Sequence, residues 1–209
     1  MTVETEGFQR LLERSTALAA DLEVAFSLPP FEGQARFEAT VVAASLAAEH
    51  GSAVRVLLGA GLGVPAAVVL RAQYEATLRA VWLCYSAKPE QVQVLHGDLT
   101  PDSERQAKGL PQAADMLAEL AGKAPEAALI SLTNFRAQSW AALNSFVHAG
   151  LHSLNRHKVG LPLAIAEGAL RSSNGLSLMV AVQAAIATGS QALASQVAKA
   201  QVSYSDCFS

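Results

Sequence analysis

The sequence predicts an all-α fold: a single-domain bundle of about seven or eight helices with long central ones. Three observations carry that expectation. Apolar residues recur near a 3.6-residue period through most of the chain, strand-like alternation is nearly absent, and prolines or glycines stand where helices should start and stop. Composition agrees, because 51% of the 209 residues are apolar but only 6% are aromatic, and alanine supplies much of the apolar share. Alanine loses no side-chain entropy in a helix and lets neighbouring helices approach closely. A chain of this length can bury a sizeable core as one domain over 1–209.

Taken in order, Phe8, Leu11, Leu18, Leu22 and Phe26 give a first helix from Glu4 to Ser27, stopped by Pro29-Pro30. A second helix spans Gln34 to Leu58 and ends in the glycines of GAGLG. That cluster lacks a preceding strand and a lysine, so it reads as an interhelical turn and not a phosphate-binding loop. Pro65 opens a third helix through Ser86, and a short one follows over Glu90 to His96. Thr100-Pro101 caps another through Leu120. Pro125 begins a long segment towards His157, interrupted or bent near Gly150. Pro162 starts a short helix to Arg171, and an alanine-rich last helix covers Asn174 to Gln201. No internal repeat or linker interrupts the series.

Net charge is −3, which gives no global drive towards nucleic acid or an anionic membrane. No extended nucleic-acid surface is expected. The distribution is uneven: residues 1–126 carry 10 Lys+Arg against 16 Asp+Glu, while 127–199 carry 5 against one acid, Glu167. Such asymmetry suits either an anion site or complementary faces meeting inside the fold. The N-terminal MTVETEGFQRLLER has no basic-then-apolar leader pattern, and Cys84 and Cys207 form neither a disulfide framework nor zinc-ligand spacing. The uncharged run Ser172 to Ala198 holds too much Ser, Gln, Thr and Gly for a membrane span and reads as a buried helix. The expected compartment is cytoplasmic, without membrane attachment.

Two segments carry the chemistry. In RAQYEATLRAVWLCY, Arg71 to Tyr85, the residues Arg71, Glu75 and Arg79 form a basic–acidic–basic i,i+4 ladder on a helix that is apolar all round. Buried charges must pair, so a structural ion-pair network is the first expectation. A guanidinium left over would face a phosphate or carboxylate. In NSFVHAGLHSLNRH, Asn144 to His157, the residues Asn144, His148, His152 and Arg156 repeat at i,i+4. Two histidines four apart are half a metal site, whose missing half would have to be a carboxylate from another helix, with Glu75 the candidate. Ala at position 149 excludes zinc-protease chemistry, and no metal and no cofactor are expected. Histidine titrates near neutrality, which makes His148 the candidate acid–base group, with Glu75 to orient it. Arg71, Arg79, Asn144, His152, Arg156 and His157 are the candidate ligand contacts. The underlying expectation is that Glu75 and His148 share one buried neighbourhood. Trp82 and Trp140 read as core fillers.

RAQYEATLRAVWLCY followed by SWAALNSFVHAGLHSLNRH resembles an uncharacterised family of bacterial helical proteins known as a domain of unknown function, including the KGLPQAADML and RSSNGL stretches. An arginine–glutamate helix with a later S-F-V-H segment is also distantly similar to HEPN-type (higher eukaryotes and prokaryotes nucleotide-binding) helical domains. Several of those are dimeric ribonucleases or abortive-infection proteins. Their catalytic pattern is an arginine, a polar residue and then a histidine; Asn144 and His148 match the last two, while Leu143 occupies the arginine position. Two readings result. One is a non-enzymatic helical module that self-associates as a homodimer, its uncharged last helix a natural partner surface, and whose Arg/Glu/His centre is structural or binds a small anionic ligand. The other is a HEPN-like hydrolase acting on RNA or a nucleotide through His148.

Overall fold

A computed structural model describes residues 3–208, with side chains from residue 5 onward. The described residues contain α-helices, short 3-10 turns and no strand. Helix α1 (Val3–Leu22) leads through a 3-10 turn at Glu23–Phe26 to the Pro29-Pro30 stop. The long pair α2 (Ala35–Gly59) and α3 (Gly63–Tyr85) follows, joined by a three-residue turn. Then come α4 (Pro89–His96), α5 (Pro101–Ala107), α6 (Ala113–Leu120), α7 (Glu126–Val147), α8 (Leu151–Val159), α9 (Leu163–Thr188) and α10 (Gln191–Ser203).

The centre is a three-helix stack. Helix α3 packs on α2, and α9 lies across both. Helices α1 and α10 cover α9, α4 covers α2, and α6 and α7 cover α3. Tyr74, Leu78, Val81 and Trp82 of α3 are wholly buried, which is what an all-round apolar helix requires. Where the stack meets, the polar side chains satisfy one another. Gln73 Nε2 donates to Ser173 O at 3.0 Å and Ser177 Oγ at 3.1 Å, and Ser173 Oγ returns a bond to Gln73 Oε1 at 2.7 Å. Fully paired, such a network fixes how three helices register. Gly51 of α2 makes room for it: a Cβ there would lie 2.6 Å from Ser177 Oγ and 2.7 Å from Gln73 Nε2.

Side chains also close the helix ends. Arg36 at the start of α2 donates to Leu83 O at 2.5 Å and Ala87 O at 2.6 Å, meeting carbonyls that the end of α3 leaves unpaired. Trp82 Nε1 donates to Glu119 Oε2 at 2.7 Å and Ser86 Oγ to Glu119 O at 2.8 Å, which docks α6 on α3. The C-terminal segment is bound to the rest of the fold. Arg14 donates to both carboxylate oxygens of Asp206 at 2.7 and 3.0 Å and to Ser203 O at 2.8 Å. Asn174 Nδ2 donates to Ser15 Oγ at 2.7 Å and Cys207 O at 3.1 Å.

Ten α-helices are present among the described residues instead of seven or eight, and each difference has a local cause. The expected helix over 101–120 divides because Gly109 and Pro111 lie in its middle, and the proline has no N–H to continue the ladder. The segment towards His157 is interrupted near Gly150, the first of the two expected alternatives, and so counts as two helices, α7 and α8. The expected last helix breaks at Gly189, which takes the left-handed φ of +67°, and Ser190 then caps α10 by accepting from the Leu193 N–H at 3.3 Å. Asn174, read as a helix start, sits inside α9 and is 1% exposed, because its partners are tertiary ones.

The uncharged run from Ser172 lies in α9 and α10, and α9 is largely core. Among the described residues, α2 alone is long and apolar enough to cross a membrane by length and composition. It packs against α3, α4 and α9, while Val42 and Val56 on its outer side stand 66% and 71% exposed.

Candidate functional site

Helices α3 and α7 bring part of the expected centre together. Arg71 Nη1 donates to Asn144 Oδ1, and Arg71 Nη2 donates to Glu75 Oε1 at 3.0 Å. The Arg71 guanidinium also lies over the ring of Trp140, 3.9 Å from its centre. A second guanidinium, Arg136, lies over the same ring at 5.1 Å. The geometry follows from the sequence of α7, where Arg136, Trp140 and Asn144 recur at i,i+4 and so share the face turned to α3. A cation over an indole face is attracted by the ring quadrupole, more strongly where water is excluded.

Beneath this platform lies an aromatic stack. Tyr74 stacks on Phe135 with ring centres 4.7 Å apart and meets Trp140 edge-on at 6.0 Å. Its hydroxyl donates to Leu132 O at 3.1 Å. Burial pushes the Tyr74 hydroxyl up to about 12, with nearby Arg136 opposing the shift. A folded-state value above the unfolded one means the stabilisation is complete below about pH 10 and is lost as pH rises towards 12. Urea midpoints are therefore expected to fall faster over that alkaline range for the wild type than for Tyr74→Phe. Identical slopes for the two proteins would refute this assignment.

Charge is unevenly matched here. Among the described residues, Arg71 pairs with Glu75, while neither Arg79 nor Arg136 has an ion-pair partner. Arg71 Nε, Arg79 Nη1 and Arg136 Nε are buried nitrogens without a hydrogen-bond acceptor among the described residues. Arg79 sits one turn beyond Glu75, its guanidinium 5.4 Å from the Trp82 ring centre, and its pKa is lowered by burial and partly restored by Glu75. It lines a separate depression of about 410 Å³ between α2, α3 and the start of α6, together with Glu75, His50 and Gln112.

The remaining candidates are placed elsewhere. His148 caps the C-terminus of α7, its N–H donating to Asn144 O at 3.1 Å, and its side chain is exposed. Glu75 is exposed as well and pairs with Arg71, so the two do not form a shared buried neighbourhood. The cause is the break after position 147: Ala149 takes a φ of +50° and Gly150 N–H donates back to Ser145 O at 2.7 Å. That turn splits the i,i+4 series, leaving Asn144 on α7 and carrying His152 and Arg156 away on α8. His152 is exposed, with its backbone N–H on Ser145 Oγ at 3.0 Å and its ring 6.2 Å from Phe146. Arg156 and His157 line a different depression, about 350 Å³, beside the α2–α3 turn and Leu161. Among the described residues, no three His, Cys, Asp or Glu side chains form a group able to hold a metal ion. Cys84 and Cys207 are both free, and burial raises the Cys84 thiol to about 11.

Arg136 and Trp140 are the site residues that sequence reasoning missed. Their signal was the i,i+4 spacing from Arg136 through Trp140 to Asn144, hidden because Trp140 read as core. Residues 44–209 match the model of a family described as a family of unknown function (DUF6988). No curated protein and no solved structure matches the chain.

Proposed function

The chain belongs to the DUF6988 family of unknown function, and we propose from its own geometry that it is a helical binding module that takes a small anionic ligand on the α3–α7 platform. The single observation that supports this reading is the surplus of cations: Arg71 and Arg136 lie over one tryptophan, and the one carboxylate paired there is Glu75. Arg71 is already committed to Asn144 and Glu75, so Arg136 supplies the free donors, while Trp140 and Asn144 hold the two guanidiniums in place. A planar fork of N–H donors suits phosphate or carboxylate oxygens. The hydrolase alternative would ask His148 to act without a hydrogen-bonded carboxylate to orient it, and no observation favours it over the binding reading.

Trp140 makes the reading measurable, because anion binding beside its ring alters tryptophan emission. Inorganic phosphate, AMP and citrate titrated at low salt are expected to change emission saturably for at least one of the three. Arg136→Ala is expected to weaken that binding by about tenfold or more, the loss of a charge-assisted hydrogen bond. Added salt should weaken it in the wild type by screening. Absence of a saturable change with all three anions would overturn the proposal.

A further inference from the structure

A second candidate site lies on the other side of α7. This helix packs on α3, α6 and α8 but makes little direct contact with α9. The gap between them is a cleft of about 500 Å³, within the range of small-molecule sites. Phe135 of α7, Met179, Val182 and Ile186 of α9, and Phe208 of the C-terminal segment supply apolar walls, and none of the described residues that line it is charged. Val182 and Ile186 are 37% and 40% exposed, although α9 is otherwise mostly core.

One polar group in this cleft stands out. Gln183 lines it, is 2% exposed, and its Oε1 has no hydrogen-bond donor among the described residues. Tyr85 lines the cleft as well, and burial raises the pKa of its hydroxyl. Buried carbonyl oxygens are nearly always paired, so this one calls for a donor that the described residues do not supply. The uncharged lining argues against an ionic ligand, since a charge placed there would lose its hydration without a counter-ion.

We propose that the α7–α9 cleft binds an uncharged, largely apolar small molecule carrying an N–H or O–H donor for Gln183 Oε1. The site is independent of the arginine platform and holds whether or not an anion binds there.

Three probes that share an eight-carbon acyl chain test it: octanamide, methyl octanoate and octanoate, the first with donors, the second with none, the third charged. Binding is read by saturation-transfer NMR and by the shift in melting temperature. Octanamide is expected to bind most tightly, and Gln183→Leu to weaken it by about tenfold, the worth of one buried hydrogen bond. Methyl octanoate should bind wild type and Gln183→Leu alike. Val182→Trp, at the exposed rim, should block all binding without disturbing the core, and Arg136→Ala should leave octanamide binding unchanged. Failure of octanamide to bind, or equal binding of amide and ester to both proteins, would overturn the proposal. So would a dimer by sedimentation velocity that Val182→Glu dissociates while octanamide stays unbound, since a second copy would then be the occupant.

Discussion

Trp82→Ala is expected to destabilise the fold by about 3–5 kcal/mol, the usual cost of removing a large aromatic ring from a closed core. The side chain is wholly buried in the last turn of α3. Its indole N–H holds Glu119 at 2.7 Å, and the Arg79 guanidinium lies 5.4 Å from the ring centre. Alanine would remove the packing volume, release α6 from α3 and strip a buried cation of its aromatic neighbour. Domains of this kind hold only about 5–15 kcal/mol in total, so the variant should unfold at far lower urea with little change in slope. Trp82→Phe restores most of the volume but not the bond to Glu119, and it should fall between the two. A loss below about 1 kcal/mol for the alanine variant would contradict the packing described for α3.

Gly51→Val is expected to cost about 3 kcal/mol by a different route, overpacking combined with a broken polar network. The first added carbon would lie 2.6 Å from Ser177 Oγ and 2.7 Å from Gln73 Nε2. Neither atom can withdraw cheaply, because Gln73 is wholly buried and bonds Ser173 and Ser177 of α9. A double-mutant cycle separates the clash from general helix effects. Ser177→Ala removes the closer of the two atoms, so it should be less harmful, or even compensating, when combined with Gly51→Ala. Strict additivity of the two substitutions would mean that Gly51 does not sit against this network.

Much of the architecture was legible because its signals are local. Pro29-Pro30, Pro65, Pro101, Pro125 and Pro162 mark helix boundaries through missing N–H groups and fixed φ, and those boundaries stand within a few residues of the observed ones. The Arg71–Glu75 pair was legible for the same reason, being an i,i+4 contact within one helix. Asn174 shows where such reading stops. As a polar residue after two serines it resembles a helix start, yet its partners Ser15 and Cys207 are far away in sequence and leave no local trace. His148 shows a second limit. Its spacing from Asn144 and His152 is helical on paper, but a left-handed Ala149 turns the chain between them. Alanine rarely adopts that conformation, so nothing in the residue type announces the turn. Gly189 was missed for the opposite reason, since a glycine in an alanine-rich run can be tolerated inside a helix as well as end one.

The family match begins at residue 44, within α2, whereas α1 reaches the matched region through Asn174 with Ser15 and Arg14 with Asp206. Leu18 and Leu22, 1% and 3% exposed, belong to the same core as Leu170 and Leu193. Trimming a recombinant fragment to the family limits would therefore lay bare an oily strip along α9 and cut the tether of the final turn, inviting aggregation. The practical boundary for producing this protein lies upstream of the boundary that sequence similarity draws.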